Sequence, residues 1–129
     1  MEKTTTSIKN LKENGFVIID GVPCRVYKVQ TSTTGKHGHA KVRVEAIGLF
    51  DNTRHSLIGP AHETVEVPIV LKKKAQILAV VGKKVQIMDL DDYSVFELDI
   101  PEERKSEIVP GNEIDYYETM GIKTLKKLK

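Results

Sequence analysis

Short apolar segments that alternate with polar residues constrain the fold of this chain most strongly. The clearest is residues 41–47, where Val42, Val44 and Ala46 alternate with charged side chains. A period of two is typical of a β-strand that buries one face and exposes the other. Similar runs recur at short intervals between turn signals, and the first half of the chain has no convincing helical period. This pattern predicts a small barrel and an all-β fold.

The other candidate strands of the first half are residues 16–19, 24–30, 54–58 and 63–70. Pro68 should confine the last of these to the edge of a sheet, because proline cannot donate a ladder hydrogen bond. Residues 1–7 are polar and lack the hydrophobic core of a signal peptide. We expect them to form a frayed terminus.

The second half has a more specific order of elements. Three adjacent lysines, residues 72–74, interrupt the apolar pattern, and we place a domain boundary between residues 1–71 and 72–129. The alternative is a solvated bend inside one domain. The predicted elements that follow are strands 75–81, 84–89 and 94–100, a helix that begins at Pro101 and ends by Val109, and strands 113–117 and 122–128. Three strands, a short helix and two strands is the order of a five-stranded OB-type barrel.

The charges of the two halves differ in sign. Residues 1–74 carry 12 Lys and Arg against 7 Asp and Glu, a net charge of +5, whereas residues 75–129 carry 8 against 11, a net charge of −3. A basic half can face phosphates, and an acidic half is repelled by them. We expect the acidic residues of the second half, Asp89 among them, to lie on the barrel surface. This argues against oligonucleotide binding as the main activity, but a general single-stranded RNA-binding OB-fold protein stays the alternative function.

The cysteine content and hydropathy indicate a cytoplasmic location. Cys24 is the single cysteine and cannot form an internal disulfide, which fits a reducing compartment. We expect its side chain to be a small buried hydrophobe. No apolar run approaches the roughly 18 residues needed to span a bilayer, so no membrane partner is expected.

A polar segment, residues 31–41, separates two of the predicted strands. It has no apolar side chain larger than Ala40, and it is longer than the usual hairpin connection of about two to five residues. Lys36 lies between Gly35 and Gly38. Lys28, Lys41 and Arg43 lie on the flanking strands, so we predict an exposed and positively charged hairpin. The alternative is a long hairpin that is solvated and has no function.

The segment does not contain a complete motif for phosphate binding, for a KH-type RNA clamp, for a metal site or for catalysis. The pair Gly35-Lys36 lacks the Ser or Thr of a phosphate-binding loop, because His37 stands there. Residues 35–38 match the GxxG clamp of KH domains in letters only, since strands rather than helices flank them. His37 and His39 supply only two metal ligands, so no metal is expected. No Ser/His/Asp arrangement stands out either, and the sequence argues against an enzyme with catalytic residues of its own.

The same segment resembles the modified-lysine loop of the hypusine-containing translation initiation factor 5A family. The motif that carries the resemblance is Ser32-Thr33-Thr34-Gly35-Lys36-His37-Gly38-His39-Ala40-Lys41-Val42. The similarity continues through residues 16–26, 75–78, 86–89 and 110–113, and so covers nearly the whole chain. The short amino terminus is more similar to archaeal members. Thr33 departs from the pattern, because many members carry lysine at this position, and the departure removes one positive charge.

The resemblance implies an SH3-like barrel over residues 1–71 that carries the hypusine loop, followed by an OB-fold barrel with one short helix over residues 72–129. It also implies that deoxyhypusine synthase transfers an aminobutyl group from spermidine to Lys36, giving deoxyhypusine or, after hydroxylation, hypusine, and that no cofactor is needed.

The function that the resemblance implies is that of a translation factor that binds the ribosome. Its modified lysine would contact the acceptor end of the P-site tRNA and help peptide bonds form at slow sequences. The other loop residues expected to contact the tRNA or the modifying enzyme are Thr34, Gly35, His37, Gly38, His39 and Lys41.

Overall fold

The computed structural model describes residues 2–33 and 40–129. The chain divides into two compact units, Met1–Ile69 and Val70–Lys129. Both consist mainly of antiparallel strands, each around its own hydrophobic core. The predicted all-β fold is therefore confirmed, whereas the domain limits drawn at residues 1–71 and 72–129 stay a prediction.

The first unit is a six-stranded sheet. Its strands are β1 (Lys3–Ser7), β2 (Phe16–Ile19), β3 (Val22–Ser32), β4 (Lys41–Gly48), β5 (Arg54–Pro60) and β6 (Thr64–Pro68), and a 3-10 helix, Ile8–Asn10, follows β1. They pair in the order β1-β6-β2-β3-β4-β5. Val42, Val44 and Ala46 are buried on the inner face of β4, as their alternation predicted. They pack with apolar side chains of β2 and β3 and of the 3-10 helix to form the core.

Both ends of this sheet differ from the prediction. The polar amino terminus forms β1, which pairs with β6 from Lys3 opposite Pro68 to Ser7 opposite Thr64. The expectation of a frayed terminus was wrong, because three consecutive threonines favour extended backbone once a partner strand is available. The edge placement of β6 was wrong as well, since β6 lies between β1 and β2. Pro68 is tolerated there because it is the last residue of the strand.

The second unit has the order of elements that the sequence predicted. Its elements are β7 (Val70–Val81), β8 (Lys84–Asp89), β9 (Val95–Asp99), a 3-10 helix (Glu102–Glu107), β10 (Glu113–Thr119) and β11 (Ile122–Thr124). The sheet order is β11-β10-β7-β8-β9. The ammonium group of Lys123 on β11 lies 4.5 Å from the ring centroid of Phe96 on β9. The two outer strands therefore approach each other, and the sheet nearly closes into a barrel.

Three details of this unit correct the sequence prediction. The lysines at 72–74 lie within β7 and do not precede it. The predicted helix is of the 3-10 type, and Pro101 is its N-cap rather than its first residue. The last strand ends at Thr124, four residues early, because Leu125 and Leu128 turn into the interior and are fully buried. Burial of two leucines stabilises this arrangement more than continued pairing of an edge strand would.

Asp89, which was expected on the surface, is buried with only 2% of its area exposed. Its carboxylate accepts hydrogen bonds from the Tyr116 hydroxyl and from the amides of Asp91 (2.7 Å) and Asp92 (3.0 Å). The Tyr116 hydroxyl, followed by the two amides, holds the pKa of Asp89 below its ordinary value of 3.8. The count of acidic residues in the sequence could not predict this burial, because an aspartate that caps a turn cannot be told from a surface aspartate by residue type alone.

Asp89→Asn is expected to destabilise the second unit at pH 7 by about 2 kcal/mol, because a buried set of donors loses its charged acceptor. The folded-state pKa of Asp89 is lowered, so its contribution is present above the ordinary value of 3.8 and is lost as the pH falls through the folded-state value. The difference between wild type and variant should therefore shrink at pH 3. Urea unfolding followed by circular dichroism at both pH values measures it.

The control for this experiment is Asp99→Asn, which removes an exposed carboxylate 4.0 Å from the Lys84 ammonium group. A surface pair of this kind contributes less than about 1 kcal/mol. An equal loss of stability in both variants at pH 7 would contradict the role assigned to Asp89.

Candidate functional site

The long hairpin of β3 and β4 carries the predicted site. The two strands pair up to Ser32 opposite Lys41. Residues 33–40 join the two strands. Because Ser32 and Lys41 are paired, this connection starts and ends at adjacent positions of the sheet. Six of the predicted site residues lie outside the described residues, and their roles stay predictions: Thr34, Gly35, Lys36, His37, Gly38 and His39.

The outer face of the hairpin is cationic. Lys41 and Arg43 are exposed on β4, and Lys28 is exposed on β3. Glu45 lies between them, 3.9 Å from the Lys28 ammonium group and 3.8 Å from the Arg43 guanidinium group. One carboxylate thus lies near two of the three cations. Because exposed ion pairs are worth less than about 1 kcal/mol each, the cations can exchange this carboxylate for phosphate at little cost.

A β-bulge explains why Lys28 belongs to this face. The pairing of β3 with β4 shifts between Val26 and Lys28, so that Lys28 lies opposite Glu45 and Gln30 opposite Arg43. The alternation within β4 was enough to predict that Lys41 and Arg43 share a face. The sequence placed Lys28 on the flanking strand but did not determine which face it occupies, because a bulge has no reliable sequence signal.

The carboxyl side of the connection is held by the rest of the sheet. β4 pairs with β5 up to Lys41 opposite Pro60, and the amide of Ala61 donates to the carbonyl of Ala40 at 3.0 Å. Gly59 is buried on β5, where an added Cβ would lie 1.7 Å from a carboxylate oxygen of Glu63. The end of the hairpin is therefore fixed to a packed scaffold, which is what a connection that presents a side chain requires.

The described residues give little support for a reactive thiol, a catalytic histidine or a metal site. Cys24 is buried, and burial raises the pKa of its thiol to about 11, so it carries no thiolate near neutral pH. His55 Nε2 lies 3.0 Å from Asp51 Oδ2 and 2.9 Å from the Thr53 hydroxyl, within one turn of the chain. Within residues 2–33 and 40–129, no group of three His, Cys, Asp or Glu side chains could hold a metal ion.

No helix in the described ranges is long and apolar enough to cross a bilayer.

Comparisons with known proteins agree with this architecture. The family described as "Translation initiation factor 5A-like, N-terminal" matches residues 2–63. A relative named "Translation initiation factor 5A" from Methanocella arvoryzae is 48% identical over 92% of this chain and 93% of its own length. One of the same name from Methanothermobacter thermautotrophicus is 43% identical over 100% of this chain and 99% of its own length.

A solved structure, "Eukaryotic translation initiation factor 5A from Methanococcus jannaschii", superposes with a TM-score of 0.86 at 41% identity. The match covers 95% of this chain and 91% of that one. This similarity shows that the chain has an SH3-like barrel and an OB-fold barrel. It also shows that the chain is a translation factor of a non-enzymatic kind. The chain belongs to the translation initiation factor 5A family.

Proposed function

We propose that this protein binds the ribosome in the cytoplasm and promotes peptide bond formation at slow sequences such as consecutive prolines. In this proposal Lys36, modified to deoxyhypusine or hypusine, contacts the acceptor end of the P-site tRNA. The SH3-like barrel over residues 1–71 carries this loop, and the OB-fold barrel follows over residues 72–129. The proposal rests on the family of the chain and on the motif around Lys36.

The structural observation that supports the proposal most is the cationic outer face of the β3–β4 hairpin. Lys36 lies midway along the segment that joins Ser32 to Lys41, and Lys28, Lys41 and Arg43 line the strands that lead to it. A tRNA approached by this hairpin would therefore meet positive charge along the strands as well as at the tip. A long cation at the tip can hold the tRNA end in a reactive geometry, so that the factor aids catalysis without a catalytic residue.

The modification has a simple chemical balance. The Nζ amine of Lys36 forms a bond to the aminobutyl carbon of spermidine, and the carbon–nitrogen bond to the rest of spermidine breaks. Diaminopropane leaves, and its nitrogen takes up the proton that Nζ loses. The product is a longer side chain with a second amine. Deoxyhypusine synthase is the proposed modifying partner, and residues 34–39 with Lys41 are the proposed contacts to that enzyme or to tRNA.

Protein purified from its native host is expected to exceed its sequence mass by one aminobutyl group, with or without one further oxygen. The increment should map to the peptide that contains Lys36 and to no other lysine. Intact-mass and peptide mass spectrometry measure this directly, and protein made in a host without deoxyhypusine synthase is the control. Finding only bare Lys36 in native material would overturn the modification.

A further inference from the structure

One end of the barrel in the second unit leaves part of its inner face uncovered. Val80 on β7 pairs with Val85 on β8, which is fully buried, and directly paired residues of a sheet lie on the same face. Val80 therefore belongs to the inner face, yet it is 47% exposed. A cavity of about 650 Å³ opens beside it, between the β7–β8 turn, the end of β9 and the 3-10 helix Glu102–Glu107. We call this cavity the barrel mouth.

The walls of the barrel mouth are held by hydrogen bonds. The amide of Ile100, directly after β9, donates to the carbonyl of Lys83 in the β7–β8 turn at 3.3 Å. The 3-10 helix is braced by Arg104, which donates to the carbonyls of Asp115 and Leu125. Because these walls are already fixed, a ligand that enters the mouth orders little additional structure, and binding loses little conformational freedom.

The floor of the barrel mouth is aliphatic. Ile100 and Ile108 line it together with Val80, and both isoleucines are half-buried and pack against the core of the unit. None of the described residues that line the mouth is aromatic. Such a floor suits a flexible aliphatic chain better than a flat ring. The volume lies within the range of about 300–1,000 Å³ that is typical of small-molecule sites, which often form at the mouths of β-barrels.

The charged side chains at the barrel mouth leave one cation without a partner. Lys105 and Glu102 both line the mouth and form an ion pair at 3.0 Å. Lys83 also lines it and is exposed, and within the described part of the chain no carboxylate lies within ion-pair distance of its ammonium group. Two lysines against one glutamate give the mouth a net charge of +1, which one carboxylate would neutralise.

This chemistry selects among possible occupants. Single-stranded nucleic acid needs several cations and stacking aromatics, and the mouth offers one unpaired lysine on an aliphatic floor. A hard metal cation needs several oxygen ligands, whereas Glu102 is the one acidic side chain among the described lining residues. A second copy of the chain would bring its own Lys83 towards this one, since a two-fold interface joins identical patches. An aliphatic chain that ends in a carboxylate is complementary to both the floor and the charge.

We propose that the barrel mouth is a binding site for a small aliphatic carboxylate. The chain of the ligand lies on Val80, Ile100 and Ile108, and its carboxylate pairs with the Lys83 ammonium group. The site is independent of the proposed function, because it uses no residue of the β3–β4 hairpin. It gives the second unit a small-molecule ligand of its own.

The test uses the full chain with ¹³C-labelled valine and isoleucine methyl groups, titrated with octanoate and followed by NMR. We expect saturable shifts of the Val80, Ile100 and Ile108 methyl resonances, with a Kd of about 1 mM or lower. Affinity should rise roughly two- to fourfold for each CH₂ added between hexanoate and octanoate, because each one buries more apolar surface. Shifts that do not saturate by about 10 mM, or equal affinities across the series, would overturn the proposal.

The charge of the head group is tested with octylammonium, which carries the same chain. It should bind about fivefold more weakly than octanoate or less, because Lys83 repels it. Equal binding of the two compounds would contradict the role of Lys83. If the same methyl resonances shift when the protein is concentrated without octanoate, a second copy covers the mouth and the proposal is wrong.

Two pairs of matched variants locate the site. Lys83→Gln should weaken octanoate binding about fivefold, whereas Lys84→Gln should not, since Lys84 lies on the outer face, 4.0 Å from Asp99. Val80→Phe should weaken it about tenfold, because the ring fills the space of the ligand chain. Val81→Phe is its control, since Val81 is 52% exposed and lies on the outer face. Wild-type affinity in Lys83→Gln, or in a folded Val80→Phe, would contradict the proposal.

Discussion

Lys36→Arg is expected to reduce the stimulation of peptide bond formation at consecutive prolines to the level seen without the factor. Arginine keeps the positive charge and a similar length, so a role for charge alone would survive the change. It lacks a nucleophilic amine, because its delocalised guanidinium group stays protonated above pH 12, and it cannot accept the aminobutyl group. A translation extract depleted of the native factor, with a reporter that contains a run of prolines, measures the effect.

The matched control is Lys41→Arg, which makes the same substitution on the exposed face of β4. It should keep most of the activity, since a phosphate contact there needs only a cation. Both variants should unfold within about 0.5 kcal/mol of wild type, as is usual for polar surface substitutions. Equal activity of Lys36→Arg and wild type would show that modification is unnecessary, and a lost unfolding transition in Lys36→Arg would give the lysine a structural role.

Arg104→Ala is expected to destabilise the second unit by on the order of 3 kcal/mol, because it removes a buried side chain that joins three elements. Arg104 lies in the 3-10 helix and is only 2% exposed. Its Nη1 donates to the carbonyls of Asp115 and Leu125, at 2.7 Å each. Its Nε and Nη2 donate to the Glu107 carboxylate at 2.9 and 3.0 Å, and this pair lowers the pKa of Glu107. Truncation removes the guanidinium donor from both carbonyls and from the Glu107 carboxylate.

Urea unfolding measures the total loss for Arg104→Ala, and amide hydrogen exchange locates it. Exchange should accelerate in β10 and β11 and stay unchanged in β1–β6, because Asp115 lies in β10 and Leu125 follows β11. Lys105→Ala is the control, since Lys105 is exposed and its pair with Glu102 spans 3.0 Å on the surface. Arg104→Lys should lie between the two, because one ammonium group cannot replace the fork of a guanidinium group. If Arg104→Ala costs no more than Lys105→Ala, the bracing role is wrong.

The fold could be predicted in large part because the strands of this chain are locally encoded. The alternation of Val42, Val44 and Ala46 determined which face of β4 is buried, and the order of runs in the second half determined the OB-type arrangement. The position of Lys36 in a polar segment between strands could also be predicted from the sequence, because the absence of large apolar side chains is a local property.

Only the tertiary structure decided which polar residues are surface charges and which are structural. Asp89 and Arg104 have the same sequence appearance as their exposed neighbours, and each is buried because distant groups, Tyr116 for one and the carbonyls of Asp115 and Leu125 for the other, complete its hydrogen bonds.

Strand pairing, likewise, could not be predicted from local sequence patterns. The amino terminus became a strand through a partner some sixty residues away, as Lys3 opposite Pro68 shows, and Lys28 joined the cationic face through a bulge. Local patterns thus determined the strands and the functional segment of this protein. Long-range pairing and the hydrogen bonding of buried polar groups decided the rest, because both depend on contacts that no short stretch of sequence contains.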